Sequence, residues 1–289
     1  MLKPVVLTKL MLVGRRAPLD RTPLTEGMGY EDVVFKATDG LDIRGWFIPA
    51  GDRPAPAVAF VHGWLWNRLG NVEGQVPVPD KSVDFLPAAK ALHEAGYGVL
   101  LFDLRHHGES DRARAPLTFG VHEARDFVGA VNYLRGRPDV IDDRIGAIGC
   151  SMGGNTAMFG IPACQPVKAL LAIQPTRVHA FNTNFARDEL GPMGPASLLP
   201  VDWMYAVLRL PRPTKHNPGE AAPKLGDTVV QYVQGTGDPW GQMDVVEEFA
   251  RLTPNALPLV RFESAGRYEG YRYISERVDD VVRFFREHL

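Results

Sequence analysis

Residues 149–154 read Gly-Cys-Ser-Met-Gly-Gly. A serine flanked by small residues suits a nucleophile raised on a sharp strand-to-helix turn. The context fits: residues 145–149 form a short apolar run, and residues 152–161 continue at helical spacing. Gly149, Gly153 and Gly154 give such a turn the room it needs. A helix starting at Met152 would bring free N–H groups and a positive dipole end to developing negative charge. The competing reading is a glycine-rich turn with Ser151 as a capping residue; the strand before it and the helix after it favour the nucleophile. Cys150 is expected to point into the core and to be inert.

A second stretch, Val61-His62-Gly63-Trp64, follows another apolar run at residues 57–61. The backbone N–H of Trp64, with that of Met152, would form an oxyanion hole. Two fixed donors aimed at one oxygen stabilise a tetrahedral intermediate by several kcal/mol, on the order of 3 per donor. That chemistry acts on an ester, an amide or another carbonyl-containing small molecule. His62 reads as a loop-bracing residue, and the Trp64 indole either packs or walls a pocket.

These residues need a frame. Residues 31–37 and 41–48 are strand-like around Asp39-Gly40, a hairpin signal. After them, strands at 57–61, 98–102, 145–149, 168–173, 228–233 and 257–262 alternate with helices at 85–95, 123–134, 152–161, 245–252 and 277–285. This alternation predicts an α/β chain: a mostly parallel, doubly wound sheet of about eight strands with an N-terminal antiparallel hairpin. Residues 176–227 break the pattern with about fifty residues between two strands, far beyond an ordinary loop. Its prolines and apolar residues (Phe181, Phe185, Trp203, Tyr205, Leu208) predict a small helical cap rather than a disordered linker. These apolar side chains suit a partly apolar substrate or plain packing of the cap. Arg177 and Arg187 offer an anionic contact or surface ion pairs. The chain is thus expected to form one domain over 1–289, with a cap at 176–227 and an N-terminal arm at 1–30.

The chain has 289 residues, with Lys+Arg 32 against Asp+Glu 34, so no basic excess calls for nucleic acid. Its 2 cysteines, Cys150 and Cys164, make neither a metal spacing nor a disulfide framework. No metal and no cofactor are expected, and a cytoplasmic location is the default. The N-terminus is apolar but broken by Lys3, Pro4 and Lys9, too short to span a bilayer and without a clear cleavage site. No stable membrane insertion is expected. Leu7, Leu10 and Met11 share one helical face, which suits packing on the domain better than membrane contact or dimer formation. A homo-oligomer is left open.

Taken in order, H-G-W at 62–64, D-L-R-H-H-G-E-S at 103–110, G-C-S-M-G-G at 149–154 and Q-G-T-G-D-P-W at 234–240 resemble the α/β-hydrolase family from about residue 31 to the C-terminus. The resemblance implies hydrolysis without metal or organic cofactor. It also implies an acid at Asp238 and a histidine base just after the eighth strand. Two departures stand out. His106 replaces a usual glycine, and Ala265-Gly266-Arg267 places Arg267 where the histidine belongs. Arginine does not act as a base near neutrality, because its pKa lies above about 12. Four accounts follow. Another base reaches Ser151, with His179, His107, His62 and His216 as histidine candidates. Glu269 or Tyr268 takes that role. The chain is catalytically silent and binds a ligand. Or it performs a non-hydrolytic lyase- or cyclase-type step in which Arg267 holds negative charge. The enzyme reading, serine-type and esterase-like with an atypical triad, is the expectation carried forward.

Overall fold

The computed structural model describes residues 2–76 and 78–289, with side chains from residue 5 onward. The Lys3 and Pro4 side chains, which break the apolar N-terminus, lie outside it.

Strands β1 (Glu31–Lys36) and β2 (Asp42–Ile48) form the antiparallel hairpin, with Gly40 at φ +90° in its turn. The sheet is completed by β3 (Ala55–Val61), β4 (Gly98–Phe102), β5 (Val140–Cys150), β6 (Ala169–Ile173), β7 (Val229–Gly235) and β8 (Val260–Phe262). Their spatial order is β1-β2-β4-β3-β5-β6-β7-β8. The β2–β4 pair is antiparallel, and every later pair is parallel. The eight-stranded, mostly parallel sheet is as the alternation predicts. β4 and β6 are buried along their whole length because helices cover both faces.

One face carries α3 (Ala124–Arg135), α4 (Met152–Gly160) and α7 (Met243–Leu252) through Phe127, Val131, Met158 and Phe249. The other carries α2 (Leu86–Glu94) and α9 (Val278–His288) through Leu86, Leu92, Val281 and Phe285. Each such buried side chain contributes roughly 1.5–3 kcal/mol relative to exposure.

Two strand ends differ most from the sequence reading. β5 starts at Val140, because exposed Asp142, Asp143 and Arg144 hide its first half from an apolar pattern. β8 is short, because Pro258 removes a ladder donor at the sheet edge.

Residues 176–227 hold α5 (Val178–Leu190), α6 (Leu198–Val207) and short 3₁₀ turns. At the N-terminus, α1 (Leu2–Val13) buries Leu7 and Met11 and leaves Lys9 exposed. It packs beside α5 and α6, sharing a crevice with Phe185 and Leu198. Among the described residues no helix is long and apolar enough to cross a membrane.

Candidate functional site

Ser151 sits where β5 turns into α4, at φ +53° and ψ −119°. A left-handed φ at a non-glycine residue is strained and persists only when its surroundings enforce it. The enforcement is visible at Gly153, where a Cβ would stand 2.0 Å from the Val61 carbonyl oxygen. Only glycine lets α4 approach β3 this closely. Cys150 is fully buried, and burial pushes its thiol far up, so it stays protonated.

The loop after β3 is braced from beneath. His62 Nδ1–H donates to Gly63 O at 2.8 Å, while Nε2 accepts from Leu104 N at 2.9 Å. His107 Nδ1–H donates to Arg105 O at 2.9 Å and Nε2 accepts from Leu65 N at 3.3 Å. Burial pushes His107 well below the usual histidine range, and His62 adds to that. Both rings are neutral braces. Below them, Arg68 pairs with fully buried Asp103 at 2.6 Å, and Asp103 also accepts from Arg68 N and Glu109 N. His106 adopts φ +70°, so it keeps the left-handed conformation expected of the glycine it replaces. Asp103→Asn is expected to destabilise the fold by about 2–4 kcal/mol, because it leaves the buried Arg68 charge with only the exposed Glu109 carboxylate, 2.8 Å away, as counter-ion. A urea melt measures this; a loss below about 1 kcal/mol would show that the pair is dispensable.

The indole of Trp64 donates from Nε1 to Leu10 O at 3.1 Å, tying this loop to α1. Among the described residues, neither the Trp64 N–H nor the Met152 N–H has an acceptor. Both residues line the same cavity as Ser151.

The loop after β8 forms α8 (Arg267–Tyr271) rather than an open turn. Its first residue reaches back across the sheet edge. Arg267 Nη2 donates to Ser151 Oγ at 3.2 Å and to Gln174 O at 3.1 Å. Nη1 donates to Asp238 Oδ2, and both side chains are buried. The guanidinium also lies 5.0 Å from the Phe181 ring and 5.2 Å from that of Tyr271. Burial opposes the Arg267 charge, but Asp238 together with Tyr271 and Tyr268 outweighs it and holds the guanidinium above its ordinary pKa. Asp238 is held in turn by Trp240 N at 2.9 Å, Gly241 N at 3.0 Å and Gln234 Nε2 at 3.1 Å.

Ser151, Asp238 and Arg267 thus meet. The other base candidates do not join them. His179 is exposed and faces a separate crevice with Met11 and Asp202. His107 has both ring nitrogens occupied. Neither Glu269 nor His216 lines the cavity. Tyr268 does, but burial pushes its phenol far up, away from the phenolate a base requires.

The cavity itself is aromatic. Trp64, Trp66, Phe119 and Trp240 wall it with Phe181 and Phe185 of α5; Tyr268 and Tyr271 close the other side. Of the apolar residues named for the cap, Phe181 and Phe185 face the cavity. Tyr205 is buried and donates to Leu117 O, while Trp203 and Leu208 are exposed. Arg177 pairs with Glu248 at 2.7 Å, and Arg187 contacts Asn184. The space inside is about 30 Å³. Trp66, Tyr271, Thr176 and Trp240 were not singled out from sequence. For Tyr271 the available signal was its i, i+4 spacing from Arg267, which puts both on one face of α8. Among the described residues no cluster of His, Cys, Asp and Glu could hold a metal ion.

Residues 58–283 match the family model described as "Alpha/beta hydrolase family". The uncharacterized protein YfhR of Salmonella typhi is 35% identical over 138 residues, which is 46% of this chain and 41% of that protein. The thiohydrolase aneE of Aspergillus aculeatus is 28% identical over 159 residues, 55% of this chain and 46% of that protein. The chain therefore spans less than half the length of these curated relatives. The Pyrococcus furiosus esterase Pf2001 shares the fold, with TM-score 0.72 at 23% identity over 96% of this chain and 98% of that one.

Proposed function

The chain belongs to the alpha/beta hydrolase family, and from that premise we propose that it is a serine-type, esterase-like enzyme whose triad carries arginine in place of the base. One observation carries the reading. Ser151 stands on a strained turn in an aromatic cavity lined also by Trp64 and Met152, whose N–H groups lack acceptors among the described residues. In this reading those N–H groups hold the carbonyl oxygen, Arg267 orients Ser151 Oγ, and residues 176–227 act as the lid. The substrate is a small, partly apolar ester, thioester or related carbonyl compound; the similarity to a thiohydrolase supports the thioester class.

The missing base decides the mechanism. Ser151 Oγ attacks the carbonyl carbon, and the Oγ–C bond forms. The serine proton passes to the leaving oxygen or sulfur as its bond to carbon breaks. Substrates with stable leaving anions are therefore favoured, since they require least proton help. Arg267 stabilises negative charge near Oγ but removes no proton. The second half, attack of water on the acyl-serine, has no base either. The acyl-enzyme should accumulate.

The Asp238–Arg267 ion pair also favours a second reading, a protein that binds a ligand in this cavity without acylation. A fluorophosphonate probe followed by peptide mapping separates the two. Labelling of Ser151 that rises steadily with pH, without a histidine-like plateau near about 7, is the expected result. After p-nitrophenyl acetate, intact mass should show one acetyl group retained. No labelling at any pH with the fold intact would sink the acylation mechanism.

A further inference from the structure

Among the described residues, every exposed large apolar side chain except Leu24 and Val34 lies on α1 or within residues 176–227. Three of them form a row. Leu199, Trp203 and Val207 are 70%, 69% and 60% exposed, and they follow one another at i, i+4 and i+8 along α6. The other side of the helix does the packing. Asp202 and Tyr205 are buried, and Leu198 and Val201 line the crevice shared with α1 and α5. α6 is thus apolar both where it packs and where it faces water. A surface helix ordinarily carries polar residues on its outer side, and a continuous apolar row there marks an interaction site.

Charge indicates what covers it. The whole chain has net charge -2. Residues 191–217 nevertheless carry Arg209, Arg212 and Lys215 against one acid, Asp202. Asp202 is buried and held by Arg212 and Thr214, so it presents little negative charge outward. Arg209 and Lys215 are exposed. The adjoining α1 repeats the pattern. Val5, Lys9 and Val13 are exposed at the same i, i+4, i+8 spacing, and residues 1–16 hold Lys3, Lys9, Arg15 and Arg16 with no acid. Positive charge therefore collects on the two segments that expose apolar side chains, against the sign of the chain as a whole.

We infer that the row Leu199, Trp203 and Val207 docks on an anionic lipid surface, with Arg209 and its basic neighbours in sequence meeting the headgroups. Apolar side chains beside arginine and lysine suit the boundary between acyl chains and anionic headgroups, and tryptophan favours that depth. A second copy of the chain fits less well, because pairing two such faces brings like charges together. Peripheral docking of this kind needs no spanning helix and does not rest on the acylation reading. It would set a cavity walled by α5 beside a phase in which apolar carbonyl compounds concentrate.

The test is co-sedimentation of the full chain with vesicles at neutral pH and low salt, using phosphatidylcholine alone or mixed with phosphatidylglycerol. Binding should be at least about tenfold stronger to the mixed vesicles and should weaken as salt is added. Trp203→Glu should lower binding to both by about tenfold or more. Arg209→Gln should weaken binding to the mixed vesicles only. Both variants should melt with the wild type, because both side chains are exposed. Trp203→Phe should keep most of the binding yet lose the blue shift of tryptophan emission that vesicles produce, which puts the contact at this residue. The inference is overturned if neither vesicle binds the chain, or if Trp203→Glu binds as the wild type does. A dimer in sedimentation velocity that Trp203→Glu dissolves would also overturn it and give the row to a second copy. Fluorophosphonate labelling without vesicles should be the same in Trp203→Glu and the wild type, so docking and acylation fail separately.

Discussion

Arg267→His will raise ester hydrolysis by about two orders of magnitude or more, the ordinary contribution of a positioned general base. The expectation follows from what already surrounds position 267. Arg267 Nη2 is 3.2 Å from Ser151 Oγ, and its Nη1 is bonded to Asp238. An imidazole entering the same gap would meet a serine on one side and a carboxylate on the other. Asp238 is already held by Trp240 N, Gly241 N and Gln234 Nε2, so its orientation does not depend on the arginine. The new activity should rise with pH through the histidine pKa, because only neutral imidazole accepts the serine proton. It should fall again on adding Asp238→Asn, which takes away the acid that orients the ring. A stability loss is also expected. Removing one partner of a buried ion pair costs about 3–5 kcal/mol when nothing replaces it, and the imidazole replaces it in part. Rates must therefore be compared at a temperature where both proteins are folded. Steady-state assays with p-nitrophenyl acetate decide the matter. No gain in a folded variant would mean that the shorter side chain does not reach Ser151 Oγ, or that Asp238 does not serve as its acid.

Ser151→Ala will lower acylation by at least about a hundredfold and abolish fluorophosphonate labelling, because no other nucleophile stands on the turn. The change is small in structural terms. Alanine occupies the same strained backbone, and Arg267 keeps its bonds to Gln174 and Asp238. The stability change should stay within about 1 kcal/mol, the net worth of one hydrogen bond. Lost labelling with an unchanged melting curve then reports chemistry rather than folding. In the Arg267→His background the same substitution should remove all of the gained hydrolysis. Unchanged turnover in the alanine variant would overturn the assignment of Ser151.

The frame for these residues was largely legible in the sequence. The apolar runs at 57–61, 98–102 and 168–173 are strands buried on both faces, and nothing else suits such short uninterrupted apolar stretches between helices. β5 and β8 were blurred where polar or proline residues interrupt that signal. The cavity was less legible. Phe181 and Phe185 face it, yet Trp203, equally apolar in type, is 69% exposed on the next helix. Composition alone does not distinguish these side chains, because the direction in which a cap helix faces depends on what it packs against.

The sequence by itself determined the sheet, the turn at Ser151 and the presence of Arg267 after β8, where the family resemblance implies a histidine. These are local facts, written in hydrophobic periodicity, glycine placement and residue identity. Only the tertiary structure decided that Arg267 bridges Ser151 and Asp238 and that His179 and His107 stay apart from them. Arg267 is 116 residues from Ser151 and 29 from Asp238. Residues so far apart in sequence converge only because the strand order brings the ends of β5, β6, β7 and β8 to one edge of the sheet. Hydrogen-bond direction, burial and stacking at that edge belong to the assembled sheet, and no single segment encodes them.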